Sequence, residues 1–118
     1  MRAVCVVGLG LIGGSVLRAA VRAGRAAWGA TLSTSDAAAA SSDGFTVSTV
    51  DDAVVRAAAE DAIVLLAVPL PAVEGVLRTV AARAPDCWLT DVVSVKEPVA
   101  DLVARVVPTA RYAGGHPM

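Results

Sequence analysis

The stretch Ala3-Val4-Cys5-Val6-Val7-Gly8-Leu9-Gly10-Leu11-Ile12-Gly13-Gly14 decides the fold. Its first five residues are an apolar run that predicts a buried strand, ended by Gly8. From Leu11 the apolar residues Ile12, Val16, Ala19, Ala20 and Ala23 follow at helical spacing, and Gly24 supplies the stop. A Gly-x-Gly-x-x-Gly pattern arises by chance in many chains. Placed between a first strand and the helix it opens, it becomes a dinucleotide fingerprint. Gly8 permits the tight turn off the strand, Gly10 lets a pyrophosphate approach the backbone, and Gly13 lets helix and strand pack closely. With Leu9, Leu11 and Ile12 these glycines form a loop whose helix N-terminus offers N–H groups and partial positive charge to phosphates. The competing interpretation, a glycine-rich turn with no ligand, has this strand–turn–helix context against it.

Further along, a second strand is expected around Ala26–Thr31, and Leu32 to Gly44 gives no firm signal beyond room for a short helix. Phe45–Ser48 reads as a third strand, Asp51–Ala59 as a helix with acidic residues at its start, and Ala62–Val68 as the strongest strand. Pro69 and Pro71 end that strand and suit the first turn of a helix running to about Arg83. A fifth strand at Cys87–Val92, a helix at Val95–Val106 and a sixth strand at Arg111–Ala113 complete the order. Strands alternating with helices at this spacing predict an α/β fold: a Rossmann-type doubly wound parallel sheet with helices on both faces.

Composition agrees. Hydrophobic residues make up 56% and aromatic residues 3%, so the core is expected to be Val, Leu, Ile and Ala, as in parallel sheets covered on both faces. The 118 residues suffice for one dinucleotide-binding domain, 1–118. The formal net charge is −1 and the basic residues are scattered, which excludes a nucleic-acid-binding face. Cys5 and Cys87 are distant in sequence and are expected to be buried filler, with neither a metal site nor a redox pair. No apolar stretch is long enough for a membrane span and no leader precedes the first strand, so a soluble, cytoplasmic protein is expected.

An acidic residue that reads the adenosine ribose is expected at the end of the second strand. Thr31 stands there instead, and Asp36 lies too far along unless the strand ends later. Hydroxyls at Thr31, Ser33, Thr34 and Ser35 could accept a 2′-phosphate, but no arginine accompanies them. The cofactor is therefore NAD or NADP, and NADP is expected to be tolerated.

Three further stretches, Leu65-Leu66-Ala67-Val68-Pro69, Leu89-Thr90-Asp91-Val92-Val93-Ser94-Val95-Lys96 and Gly114-Gly115-His116-Pro117-Met118, join the opening Gly8–Ser15 segment in an order and spacing that resemble the prephenate dehydrogenase family. The resemblance implies oxidation of prephenate with NAD or NADP, with loss of CO₂, to 4-hydroxyphenylpyruvate on the route to tyrosine. It implies that His116 takes the proton of the ring hydroxyl as hydride leaves, and that Ser94 contacts the same hydroxyl and helps hold the histidine. It implies too that the loop Ala67, Val68 and Pro69 lines the cofactor. Chemistry supports a histidine in that role, since a neutral imidazole is matched to accepting a proton near neutral pH. Without the resemblance His116 reads equally as an incidental loop residue, and Ser94 as the N-cap of the helix that follows. Asp91 and Lys96 could touch substrate or cofactor, or be a capping carboxylate and a solvated lysine.

The family has a second, all-helical domain that builds a homodimer and supplies an arginine for the substrate carboxylate; nothing after Met118 provides it. The Gly-Gly-His-Pro-Met ending reads as a loop, so a chain cut short and inactive by itself is expected. An arogenate or amino-prephenate dehydrogenase, or a stand-alone dinucleotide-binding module without turnover, are the competing readings. The partner expected in each enzymatic case is a small-molecule substrate, with no metal.

Overall fold

A computed structural model describes residues 2–92 and 96–113. Its strands are β1 (Val4–Val7), β2 (Ala27–Ala30), β3 (Val47–Ser48), β4 (Ile63–Leu66), β5 (Trp88–Asp91) and β6 (Arg111–Tyr112). Its helices are α1 (Leu11–Arg22), α2 (Thr34–Ser42), α3 (Val50–Glu60), α4 (Leu70–Arg83) and α5 (Lys96–Val106). Every described strand pairing is parallel, in the order β3-β2-β1-β4-β5-β6. The chain winds outward from β1 to β3, crosses back through α3, and winds the other way from β4 to β6. The reversal lies between β1 and β4, where an open α/β sheet leaves a crevice at the strands' C-terminal ends.

The period of two along β1 divides the core. Val4 and Val6 face Leu17 and Ala20 of α1 and Ala40 of α2. Cys5 and Val7 face the opposite layer, with Val54 of α3, Leu77 of α4 and Val99 of α5. The core is aliphatic, as its composition requires; Trp28 is its largest fully buried side chain, and its indole N–H donates to the Ala53 carbonyl at 3.0 Å.

The observed strands are shorter than the apolar runs that announce them. Ala62 and Val68 are buried but lie outside β4, since burial continues after the hydrogen-bonded ladder stops. Cys87 likewise is buried one residue before β5 rather than within it. Both thiols are free, and burial pushes Cys5 up to about 12 and Cys87 to about 11. Such thiols are unreactive at neutral pH, as filler should be.

The segment without a firm sequence signal contains a full helix. Ser33 is the N-cap of α2, its hydroxyl accepting from the Asp36 N–H at 3.3 Å, and Asp36 sits in the first turn. Thr49 starts α3 the same way, accepting from the Asp52 N–H at 3.1 Å. Among the described residues no helix is long and apolar enough to cross a membrane.

Candidate nucleotide-binding site

At the reversal between β1 and β4 the two strand ends lie side by side. The Val7 carbonyl accepts from the Ala67 N–H at 2.8 Å, and the Gly8 N–H donates to the Ala30 carbonyl of β2 at 2.7 Å. Gly8 has φ +103°, which side chains disfavour, and a Cβ there would stand 2.6 Å from the Ala67 carbonyl oxygen. A Cβ on Gly13 would run into the Gly8 carbonyl oxygen and stand 3.0 Å from the Ala67 Cβ. Both glycines are thus required by the protein's own packing.

Gly10 is different. It has φ −70°, and a Cβ there would meet nothing within 4 Å. It is the N-cap of α1, no side chain caps the helix, and no acidic residue stands in its first turn. The leading N–H groups of a helix have no intrahelical partner, so this end carries unmatched donors and partial positive charge. Leu11 and Ile12, at its tip, are 89% and 55% exposed.

The glycine turn forms one wall of a cleft of about 590 Å³. Gly8, Leu9, Gly10, Leu11 and Ile12 line it on one side, Ala67, Val68 and Pro69 on another, and Thr31 and Ser33 on a third. Of the residues expected to bind a cofactor, all but Gly13 therefore reach one cleft, and Gly13 acts beneath it. Leu32, Leu70, Ala72 and Val92 line it as well and were not foreseen. Thr31 directly follows β2, its hydroxyl oxygen accepting from the Ser33 N–H at 3.1 Å. Asp36, expected to lie too far away, is brought back to the cleft by α2 although β2 ends no later than expected. A dinucleotide fits these groups: uncapped N–H donors, a glycine with open space where a side chain would stand, and an aliphatic floor.

The same edge of the sheet carries Asp91, at the end of β5 and fully buried. Its carboxylate accepts from the Tyr112 hydroxyl of β6 at 2.5 Å, and burial together with that carboxylate raises the phenol above its ordinary range. Asp91 is thus a buried residue at a strand end. Ser94 and His116 lie outside the described residues; they follow β5 and β6 in the chain by three and four positions. Among the described residues no group of three His, Cys, Asp or Glu side chains is placed to hold a metal ion.

Comparison with known proteins gives the family. The family model for the prephenate dehydrogenase nucleotide-binding domain matches residues 17–118. This span begins after the glycine turn, so the fingerprint and the family match rest on different residues. No curated protein sequence matches. A Corynebacterium glutamicum protein assigned as a prephenate dehydrogenase is 48% identical with a TM-score of 0.90, over 99% of this chain and 37% of its own. The prephenate dehydrogenase of A. aeolicus, solved with hydroxyphenyl propionate and NAD⁺, is 27% identical with a TM-score of 0.81, over 100% of this chain and 42% of its own. An imine reductase from Myxococcus stipitatus, 21% identical with a TM-score of 0.82, covers 100% of this chain and 41% of its own, and shares the fold. The chain thus spans about two fifths of the length of these relatives.

Proposed function

The chain belongs to the prephenate dehydrogenase nucleotide-binding family, and on that premise we propose that it is the NAD(P)-binding domain of an enzyme that oxidises and decarboxylates prephenate to 4-hydroxyphenylpyruvate. The observation that carries the cofactor part is Gly10: a glycine with ordinary φ and no protein neighbour, at an uncapped helix N-terminus facing the cleft. Nothing in the protein's own packing requires a glycine there, whereas an approaching pyrophosphate does.

In this reading the N–H groups at the start of α1 hold the pyrophosphate, and Val68 and Pro69 flank the nicotinamide side. The bound nucleotide supplies the hydride acceptor. His116 takes the ring hydroxyl's proton and Ser94 orients it; carboxylate loss needs no strong base, since the ring becomes aromatic as the C–C bond breaks. A helical domain in the rest of the protein completes the substrate pocket and the homodimer of a cytoplasmic enzyme of tyrosine synthesis, and residues 1–118 alone bind nucleotide without turnover.

Two measurements test this. Calorimetry should show NAD(P) binding by the 118-residue chain and its loss in Gly10→Val; equal affinity in both would misplace the site. In the full-length enzyme His116→Asn should lower kcat by about 10²–10⁴-fold with a modest change in KM, and remove the basic limb of the pH profile. Near-normal kcat with an unchanged profile would remove His116 from the chemistry.

A further inference from the structure

Among the described residues lining the cleft, Asp36 carries the one charge. Its carboxylate makes no hydrogen bond or ion pair with a described residue, although the neighbouring polar groups are engaged. The Thr31 oxygen accepts from the Ser33 N–H, and the Ser33 hydroxyl accepts from the Asp36 N–H and lies 3.1 Å from the Ser35 hydroxyl. These oxygens help to build the turn into α2, but an accepting hydroxyl keeps its own proton to donate, so it is the charge beside them that sets which dinucleotide this end of the cleft favours.

The basic group that shares a cavity with Asp36 is already engaged. Arg18 lies with Asp36 along an adjoining small cavity, but its guanidinium pairs with Asp43 at 2.5 Å and lies over the Phe45 ring, 4.9 Å from its centroid. The α2 N-terminus would by itself favour an anion, with roughly half a positive charge. Asp36 sets a whole negative charge in that same first turn, so the net sign at this end of the cleft is negative.

We propose that Asp36, rather than Thr31, reads the adenosine ribose and makes NAD⁺ the preferred dinucleotide. A half-buried carboxylate facing a vicinal diol accepts hydrogen bonds from both hydroxyls. NADP⁺ replaces one donor with a phosphate that brings no donor and adds like charge. The proposal rests on the nucleotide reading of the cleft given above.

Calorimetry of the 118-residue chain with NAD⁺ and NADP⁺, on the parent and Asp36→Asn, tests it. The parent should bind NADP⁺ about tenfold or more weakly than NAD⁺, and Asp36→Asn should shrink that ratio by about tenfold, since hydrogen bonds to charged groups are worth that much. The variant should fold, because the Asp36 N–H that Ser33 caps is unchanged; far-UV circular dichroism checks this. Equal parent affinities, or an unchanged ratio in Asp36→Asn with NAD⁺ still bound, would overturn the proposal alone. Binding of neither dinucleotide by the parent would sink the nucleotide reading, and this assignment with it.

Discussion

Alanine at Gly10 and alanine at Gly13 should separate binding from folding within one six-residue motif. At Gly13 the new methyl would overlap the Gly8 carbonyl oxygen and press on the Gly8 carbonyl carbon at 2.9 Å and the Ala67 Cβ at 3.0 Å. None of these can yield easily, because the Gly8 N–H is anchored to Ala30 and the Ala67 N–H to Val7. Relief requires α1 to move off the sheet, loosening Leu17 and Ala20, both buried beneath it. Overpacking costs about 1–3 kcal/mol, and partial exposure of a leucine adds to it, so a loss of about 3 kcal/mol is expected. With a urea slope of about 1–3 kcal/mol/M, the midpoint should fall by about 1–3 M. At Gly10 the methyl meets nothing and φ is already −70°. A small N-cap loss and a gain from the stiffer unfolded chain should cancel to within about 0.5 kcal/mol. Nucleotide affinity should nevertheless fall by about tenfold or more, as the methyl holds the phosphates off charge-assisted N–H contacts. Urea unfolding followed by tryptophan fluorescence, and calorimetry with NAD⁺, give both numbers. A Gly10→Ala protein as destabilised as Gly13→Ala, or one that binds like the parent, would refute this division of labour.

Burial holds Cys5 at about 12 and Cys87 at about 11, so neither thiol should react with a disulfide reagent at pH 8 until the chain is unfolded; rapid native labelling would contradict their burial. Both folded values lie above the ordinary 9.0, so their stabilising effect is complete below pH 9 and is lost as pH rises towards 11–12. Tyr112, also raised, acts in the same direction, and urea midpoints that hold steady across this window would count against the burial. Tyr112→Phe removes a hydrogen bond to the buried Asp91 carboxylate and should cost about 1–2 kcal/mol; a variant as stable as the parent in urea would show that the bond contributes nothing.

Much of the fold was legible because its signals are local. The runs Val4–Val7 and Ile63–Leu66 are apolar throughout, as strands buried on both faces require. The glycine turn announced itself because each of its tasks is met within six residues. Helix α2 was not legible from periodicity, since its alanines and serines offer no contrast between faces. A signal was nonetheless present: Ser33 with Asp36 three residues on is the same capping pattern as Thr49 with Asp52, and both pairs start helices. The burial of Asp91 could not be read, because its tyrosine partner lies 21 residues away and meets it only through the pairing of β5 with β6. A strand-end aspartate facing that pairing and one capping the next helix look alike in sequence.

The ribose reader shows where counting along the chain fails and chemistry does not. What recognition of the NAD⁺ ribose by a carboxylate requires is that group at a point in space beside the end of β2, and more than one backbone route leads there. A residue closing the strand reaches it directly. Here Thr31 closes the strand, its oxygen helps shape a three-residue turn, Ser33 starts α2, and the first turn of that helix brings Asp36 to the cleft that Thr31 also lines. The cap is therefore part of the site: by fixing where α2 begins, the Ser33 hydroxyl fixes where the Asp36 charge stands. Moving the aspartate one position along the helix would rotate it by about 100° away from the cleft at unchanged composition and charge, so on the proposed assignment the helix start, rather than the number of residues after β2, sets the dinucleotide preference.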